Sequence, residues 1–336
     1  MPKTADIFSL EKAKASFKPI KNKHSKHLHT INEIFHQQLV SSDEKINQVS
    51  TWIKESPGKQ FRPLFTLLVA DAFGTINEEV LIYAASIEMI HNASLIHDDV
   101  LDDAPFRRGN ATPHQLWGVK NALLLGDFLF SCGYRLVLKT SDSDCQRDLP
   151  NVASKMCESE LLQSDTQFTD SPNLDRYYQI IDGKTASLFG ISAGGGCRLS
   201  GGTKHQKDLM VQCGIYAGRA FQIMDDWLDF SRSGKSDNKP RGSDISNGTY
   251  TLPIILLLGY CTNQEKSALE EILFSRNESG INDPFIKELC QKYKIADEVI
   301  HTAHEFILKA EELLIQANPQ ANINDLKIFL QGILVS

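Results

Sequence analysis

The 336-residue sequence lacks the features of a membrane or secreted protein. No apolar run approaches the roughly 18 residues of a membrane-spanning helix, and the first residues contain no apolar core of a secretory signal peptide. The seven cysteines are scattered and include no C-x-x-C pair, which favours reduced thiols. We therefore expect a cytoplasmic protein with no transmembrane segment.

An excess of basic residues is also missing. The formal net charge of -7 argues against nucleic acid as the main partner. Alternating strand patterns, solenoid repeats and low-complexity tracts are almost absent. A hydrophobic content of 41% and a charged content of 23% are typical of a globular protein.

Helical periodicity dominates the rest of the chain. Residues 1–25 form a mostly polar lead-in, and Leu28, Ile31 and Phe35 begin the first helical stripe. The remaining predicted helices cover residues 59–73, 77–102, 121–139, 151–168, 174–192, 205–230, 251–260, 264–274 and 284–317, with a polar connection at 140–150. This pattern predicts an all-α fold with one domain at 26–336, a bundle of long helices around a central cavity. Three consecutive glycines at 194–196 either end a helix or allow a neighbour to approach closely.

An acidic cluster follows the apolar run that begins near Ile87. Asp98 and Asp102 are four residues apart, so on a helix they share one face. Carboxylates that lose hydration at the end of a buried helix need cations. Oxygen ligands favour Mg²⁺, which is usually held by one or two carboxylates together with substrate phosphates. The arginine pair 107–108 then suits phosphate contacts.

The simpler interpretation is a solvated acidic helix end with ordinary surface arginines. Recurrence of the cluster argues against it, because Asp225, Asp226 and Asp229 also follow an apolar helical run. Two such helices that face each other across one cavity could hold several Mg²⁺ ions around a polyphosphate.

Further segments occur in a fixed order with these clusters. They are residues 58–63 (GKQFRP), His91, 183–186 (GKTA), 239–244 (KPRGSD) and 251–253 (TLP). Together with the two acidic clusters, they resemble the trans-prenyl diphosphate synthases of medium- or long-chain type. The resemblance implies the isoprenoid synthase fold and condensation of isopentenyl diphosphate with an allylic diphosphate, dependent on Mg²⁺.

The resemblance also implies roles for individual residues. As metal ligands it indicates Asp98, Asp102 and Asp225 first, then Asp99, Asp226 and Asp229. Lys184, Lys239 and Arg107 are expected to contact the allylic diphosphate. The pocket for isopentenyl diphosphate is expected to contain Lys59, Arg62, His91 and Arg108. Thr185 and Gln222 are expected near the reacting carbons, and residues 231–244 to form a loop that closes over the site.

Product length is expected to depend on the residues one turn before the first acidic cluster. In similar synthases a bulky aromatic residue there blocks the product tunnel, whereas Ala93 and Ser94 are small. The tunnel should therefore continue past Met89, Ile90 and Ser86. We expect a medium- or long-chain polyprenyl product for a quinone side chain, delivered to a membrane, and a homodimeric enzyme.

The sequence departs from the family pattern at three positions. Thr249 stands where a lysine is usual, Asn238 where glycine is usual, and Gln60 where arginine or lysine is usual. A terpene cyclase or a head-to-head condensing enzyme fits the second acidic cluster less well. A non-catalytic subunit of a heteromeric synthase would be expected to lose aspartates or the arginine pair, and this chain keeps both.

Overall fold

The computed structural model describes residues 10–55, 58–168, 172–231, 248–274, 283–318 and 323–334. The first half of the chain forms α1 (Leu10–Lys23), α2 (Ser25–Gln37), α3 (Glu44–Glu55), α4 (Phe61–Phe73), α5 (Glu78–Leu101), β1 (Phe106–Arg107), β2 (Asn110–Ala111), α6 (Pro113–Trp117), α7 (Val119–Val137) and α8 (Ser143–Asp165). The second half forms α9 (Leu174–Ile181), a π-helical segment (Asp182–Ala186), α10 (Ser187–Leu199), α11 (Lys204–Ser231), α12 (Leu252–Tyr260), α13 (Asn263–Phe274), α14 (Pro284–Lys292), α15 (Ile295–Ala317) and α16 (Asn324–Ile333).

The predicted all-α fold is confirmed. In the described part of the chain, β structure is limited to the antiparallel pair of β1 and β2, in which Phe106 faces Ala111. Among the described residues, none of the helices combines the length and the apolar composition that a membrane span requires.

The predicted polar lead-in contains a helix. Phe17 and Ile20, three residues apart on α1, share a face, and Ile20 is buried. The Phe17 ring meets those of Phe61 and Phe329 edge-on, with ring centroids 5.5 and 5.7 Å apart. Aromatic packing against α4 and α16 therefore holds a segment whose composition is mostly polar.

Three of the predicted segments differ from the structure. The connection predicted at 140–150 is helical from residue 143, because Asp142 accepts a hydrogen bond from Cys145 N at 2.9 Å and caps α8. Pro150 lies inside that helix. The helix predicted at 174–192 contains the π-helical segment. The helix predicted at 284–317 divides at Lys294, whose φ of 52° is left-handed.

The three glycines on α10 allow a neighbour to approach, and do not end the helix. A Cβ at Gly195 would collide with the Tyr83 ring of α5, and one at Gly196 would lie 2.5 Å from the Thr66 carbonyl oxygen of α4. Helices α4, α5, α10 and α11 consequently pack closely in one apolar core. This packing places the ends of α5 and α11 on opposite sides of a cavity.

Candidate active site

Helix α5 carries the first acidic cluster into a cavity. Asn77 caps the helix by accepting a hydrogen bond from Val80 N at 3.0 Å. The helix ends where Asp102 N donates to Asp98 O at 2.8 Å. The Asp98 and Asp102 side chains are thus one turn apart, and both line a cavity of about 580 Å³.

This cavity brings together residues that are distant in the sequence. Its wall includes Lys59, Arg62, His91, Ser94, Asp98, Asp102, Arg107, Arg108, Lys184, Thr185, Gln222 and Asp225. An adjoining cavity of about 470 Å³ shares Asp102, Lys184, Thr185 and Gln222 with it and adds Asp226. The two acidic clusters therefore border one connected space, with basic residues at its opposite end.

Asp99 turns away from the cavity. Both of its oxygens accept hydrogen bonds from Arg107 Nε, at 2.7 and 2.8 Å, and Arg107 Nη2 lies 2.7 Å from Oδ1. The Asp99 side chain is 0% exposed and that of Arg107 is 14% exposed. Of the three aspartates predicted as ligands in the first cluster, Asp99 therefore serves in this structure to hold Arg107 at the cavity wall.

A tight hairpin orients the two arginines. Arg108 and Gly109 occupy the two turn positions between β1 and β2 with φ of 53° and 84°. Two-residue hairpin turns of this kind need positive φ at both positions, which glycine adopts freely and arginine does not. The Trp52 indole of α3 donates to Ala111 O at 2.9 Å and fixes the hairpin. The strain at Arg108 is of the kind found at functional sites.

The acidic end of the cavity contains several charged groups that shift one another's pKa. Burial raises the pKa of Asp98 to about 6 against the effect of Lys184, and the charges of Glu160 and Asp102 add to the rise. Burial alone would lower the pKa of Lys184, but the carboxylates of Asp98, Glu160 and Asp102 raise it overall. Lys184 is consequently a fully charged cation beside carboxylates that lose hydration.

Glu160 is a site residue that the sequence analysis missed. Its carboxylate lies 2.6 Å from Lys184 Nζ, and Gln163 Oε1 accepts a hydrogen bond from the same nitrogen at 3.4 Å. The two residues are three apart on α8 and so share a face. That spacing could have indicated a polar face, but nothing in the sequence linked it to Lys184.

The second acidic cluster is ordered by a hydrogen-bond chain. Thr185 Oγ1 donates to Gln222 Oε1 at 2.6 Å, and Gln222 Nε2 donates to Asp226 Oδ1 at 2.7 Å. The Tyr177 hydroxyl donates to Asp226 Oδ2 at 2.7 Å. Asp226 is buried, whereas Asp225 is exposed toward the cavity and Asp229 is half-buried. Asp225 is therefore the member of this cluster most accessible to a ligand.

The basic end of the cavity centres on Arg62. Its Nη1 lies 3.2 Å from His91 Nε2, and its guanidinium lies over the Phe189 ring, 4.7 Å from the centroid. Burial, followed by the charges of Arg62, Arg108 and Arg107, lowers the pKa of His91 well below its usual value. Arginine can only donate, so neutral His91 accepts at Nε2 and carries its proton on Nδ1.

Glu88 is a second residue that the sequence analysis missed. It is 9% exposed, and burial raises its pKa while Arg62 and Arg108 oppose that rise. Within the described residues, neither Glu88 Oε2 nor Arg62 Nε has a hydrogen-bond partner. Burial lowers the pKa of Arg62 to about 10. Arg62 also lines the cavity, and a planar guanidinium there suits the oxygens of a phosphate group.

The oxygen donors fit a divalent cation that arrives with a phosphate ligand. In the described part of the chain, no group of three or more His, Cys, Asp or Glu side chains is arranged to hold a metal by itself. Asp98 and Asp102 offer oxygens on one wall and Asp225 on another. Mg²⁺ typically binds through one or two carboxylates and completes its coordination with phosphates and water.

The two positions expected to set product length differ in environment. Ala93 is 0% exposed and packs in a second apolar cluster with side chains of α2, α3 and α7. The Ser94 hydroxyl donates to His91 O at 2.9 Å, and Ser94 lines the cavity. Ser86, Met89 and Ile90 are fully buried below them.

One predicted site residue, Lys239, lies outside the described residues, as does all of the predicted closing loop except Ser231. Thr249, which stands where a lysine was expected, lines the 470 Å³ cavity together with Arg176. Arg176 is exposed on the first turn of α9, so the chain does place a cation near Thr249.

Comparison with known proteins identifies the family. A family model described as "Polyprenyl synthetase" matches residues 43–289. This chain belongs to the polyprenyl synthetase family. A short chain isoprenyl diphosphate synthase from Methanothermobacter thermautotrophicus is 32% identical over 81% of this chain and 84% of its own length. An all-trans-nonaprenyl-diphosphate synthase from Rhodobacter capsulatus is also 32% identical, over 71% of this chain and 74% of its own.

Solved structures agree with this assignment. A crystal structure of a polyprenyl synthase from Caulobacter crescentus CB15, complexed with calcium and isoprenyl diphosphate, is 26% identical. The structural match covers 99% of this chain and 98% of the Caulobacter chain, with a TM-score of 0.86. The resemblance seen in the motifs is thus confirmed, and the polyprenyl synthetase is a prenyltransferase. Relatives of short- and long-chain type are equally similar to this chain, so sequence identity does not assign the product length of this chain.

Proposed function

We propose that this polyprenyl synthetase is a Mg²⁺-dependent head-to-tail prenyltransferase. It condenses isopentenyl diphosphate with an allylic diphosphate to make an all-trans medium- or long-chain polyprenyl diphosphate. Asp98, Asp102 and Asp225 border one cavity whose opposite end holds Arg62, and this is the observation that carries the proposal. One end suits a metal-bound diphosphate, and the other suits a second diphosphate without carboxylate-held metal.

The acidic end binds and orients the allylic diphosphate. Asp98, Asp102 and Asp225 would hold Mg²⁺, which when bound neutralises charge that develops on the departing diphosphate. Arg107 is held at the cavity wall by Asp99, and Lys184 by Glu160 and Gln163. Both cations can then contact the diphosphate oxygens directly.

The basic end binds isopentenyl diphosphate. Arg62 and His91 both line this end, and neutral His91 carries an N–H at Nδ1 while its Nε2 accepts from Arg62. Lys59 and Arg108 line the same end. Holding both substrates in one cavity converts their encounter into an intramolecular step.

Polar groups between the two ends stabilise the allylic cation. The Thr185 hydroxyl and the Gln222 amide lie in the shared wall of the two cavities, and their hydrogen bond fixes the direction of their dipoles. No protein base is required, because the departing diphosphate can take the final proton.

An assay of the purified chain alone tests the proposal. We expect radiolabelled isopentenyl diphosphate to be incorporated when Mg²⁺ and one of three allylic primers of increasing length are present. Chromatography of the products gives the chain length, and chelation of Mg²⁺ should stop incorporation. No product from any primer would instead favour a non-catalytic subunit of a heteromeric enzyme.

We further propose that Ala93 and Ser94 permit a long product, suited to a quinone side chain and delivered to a membrane. Ala93→Tyr should shorten the product, since an aromatic ring would fill the path of the growing chain. Ala93 is fully buried, so the ring costs about 1–3 kcal/mol of unfolding free energy if the site cannot relax. Ser94→Tyr at the cavity wall provides a second test. Wild-type product length in both folded variants would contradict the proposal.

We also propose that the chain acts as a homodimer, through a set of exposed apolar side chains on α5, α6 and α7, here called the apolar strip. Leu101 is 63% exposed and Leu124 is 57% exposed, and the strip further comprises Leu116, Val119 and Leu123. Exposed apolar patches of this kind mark interaction sites. Sedimentation should give a mass of twice 37.6 kDa, and Leu124→Asp should reduce it to 37.6 kDa. A wild-type mass of one chain would contradict it.

A further inference from the structure

The residues that present Lys184 to the cavity are not in an ordinary helix. Asp182–Ala186 is π-helical and lies between α9 and α10. π-Helical turns are rare and occur often at functional sites. The extra residue rotates side chains beyond it by about 100° relative to a continuous α-helix. The direction of Lys184 therefore depends on what keeps this turn in place.

Two side-chain contacts tie the π-helical turn to α11, and their partners are three residues apart on each of the two segments. Arg219 donates two parallel hydrogen bonds to Asp182, from Nε to Oδ1 at 2.6 Å and from Nη2 to Oδ2 at 2.6 Å. Thr185 donates to Gln222 three residues further along both segments. Lys184 lies between these two contacts and extends to the opposite side, toward Glu160 of α8.

Arg219 is itself held rigidly. Its guanidinium carbon lies 5.5 Å from the ring centroid of Tyr178, 5.7 Å from that of Tyr216 and 5.3 Å from that of Phe306. These rings belong to α9, α11 and α15, so three helices surround one guanidinium. A planar fork stacked on aromatic faces loses little further freedom when it binds a carboxylate.

We propose that Asp182 and Arg219 are a positioning pair for the prenyl transfer reaction. Neither residue lines the 580 Å³ cavity or the 470 Å³ cavity. They fix the π-helical turn at its first residue, so that Lys184 reaches the allylic diphosphate and Thr185 meets Gln222. Nothing in the acidic or basic motifs identifies this pair. The inference rests on the proposed function of Lys184.

The pair should affect one substrate selectively. Loss of the contact lets the turn relax toward α-helical geometry, which displaces Lys184 from the acidic end of the cavity. The basic end, formed by α4, α5 and the hairpin, does not contact the turn through Asp182. We therefore expect weaker binding of the allylic diphosphate with little change for isopentenyl diphosphate.

Asp182→Asn tests this directly. Steady-state kinetics with both substrates should show KM for the allylic diphosphate raised about tenfold or more. KM for isopentenyl diphosphate should stay within about twofold, since its pocket is intact. Arg219→Lys keeps the charge but lacks the fork, so it should change the same constant in the same direction. If Asp182→Asn does not fold, Arg219→Lys carries the test.

Arg198→Lys is the matched control. Arg198 Nε donates to Asp142 at 2.8 Å and joins α10 to the start of α8, and neither residue lines either of the two cavities of the site. This control should leave both KM values unchanged. The inference is overturned if Asp182→Asn leaves both KM values unchanged, or if it raises both of them equally. An inactive wild type would instead contradict the proposed function.

Discussion

Turnover is expected to fall about a hundredfold to a thousandfold when Asp98 or Asp225 is replaced by asparagine. An amide keeps the shape of the carboxylate but supplies no charge to a divalent ion. Loss of one group that stabilises a developing charge costs about this much in kcat. The measurement is kcat for incorporation of isopentenyl diphosphate at saturating Mg²⁺. At subsaturating Mg²⁺ the loss should be larger still if the variants bind the ion more weakly.

Stability separates this effect from damage to the fold. Burial raises the pKa of Asp98 to about 6, above its usual 3.8, so its ionised form is a cost to the folded state at pH 7. Asp98→Asn removes that charge and should not lower the unfolding free energy. Asp208, exposed on the same helix as Asp225, provides the control, and Asp208→Asn should retain wild-type turnover. Undiminished turnover in both Asp98→Asn and Asp225→Asn would contradict the metal assignment.

Asp99→Asn is expected to lower the unfolding free energy by about 3 kcal/mol. Asp99 is fully buried and accepts hydrogen bonds from Arg107 through both oxygens. Removing one charge of a buried pair leaves the other without compensation, which costs more than the pair contributes. Urea denaturation monitored by circular dichroism measures the change.

Asp103→Asn is the matched control for this second prediction. The Asp103 side chain is 92% exposed, and its φ of 47° is one that asparagine tolerates. Its stability should stay within about 0.5 kcal/mol of the wild type. Equal stability of Asp99→Asn and Asp103→Asn would contradict a structural role for Asp99. Full stability together with a requirement for more Mg²⁺ would instead place Asp99 among the metal ligands.

Most of the long helices could be predicted, because the spacing of apolar residues along the chain matches the helices that form. Apolar periodicity over 77–102 and 205–230 predicted α5 and α11 to within about two residues. The same periodicity missed α1, which is held by aromatic contacts with distant helices. It also missed the interruptions at the π-helical segment and at Lys294. Backbone irregularities depend on tertiary packing, and residue types alone do not report them.

The candidate site was predicted in part for a similar reason. Ordered motifs indicated the aspartates and the cations, and the fold brings Asp98, Asp102, Asp225 and most of the predicted cations to one cavity. The partners of those residues were not predictable. Glu160 holds Lys184, Glu88 faces Arg62, and Arg219 holds Asp182. In the sequence, nothing distinguishes Glu160, Glu88 or Arg219 from the other charged residues.

The amino-acid sequence by itself determined the helical class and the family, and it predicted a set of residues for metal and diphosphate binding. It did so because helical periodicity and motif spacing are properties of neighbouring residues. Only the tertiary structure decided that Asp98 faces the cavity while Asp99 binds Arg107. The reason is geometric, since adjacent residues on a helix point about 100° apart and packing alone selects which of them meets the cavity.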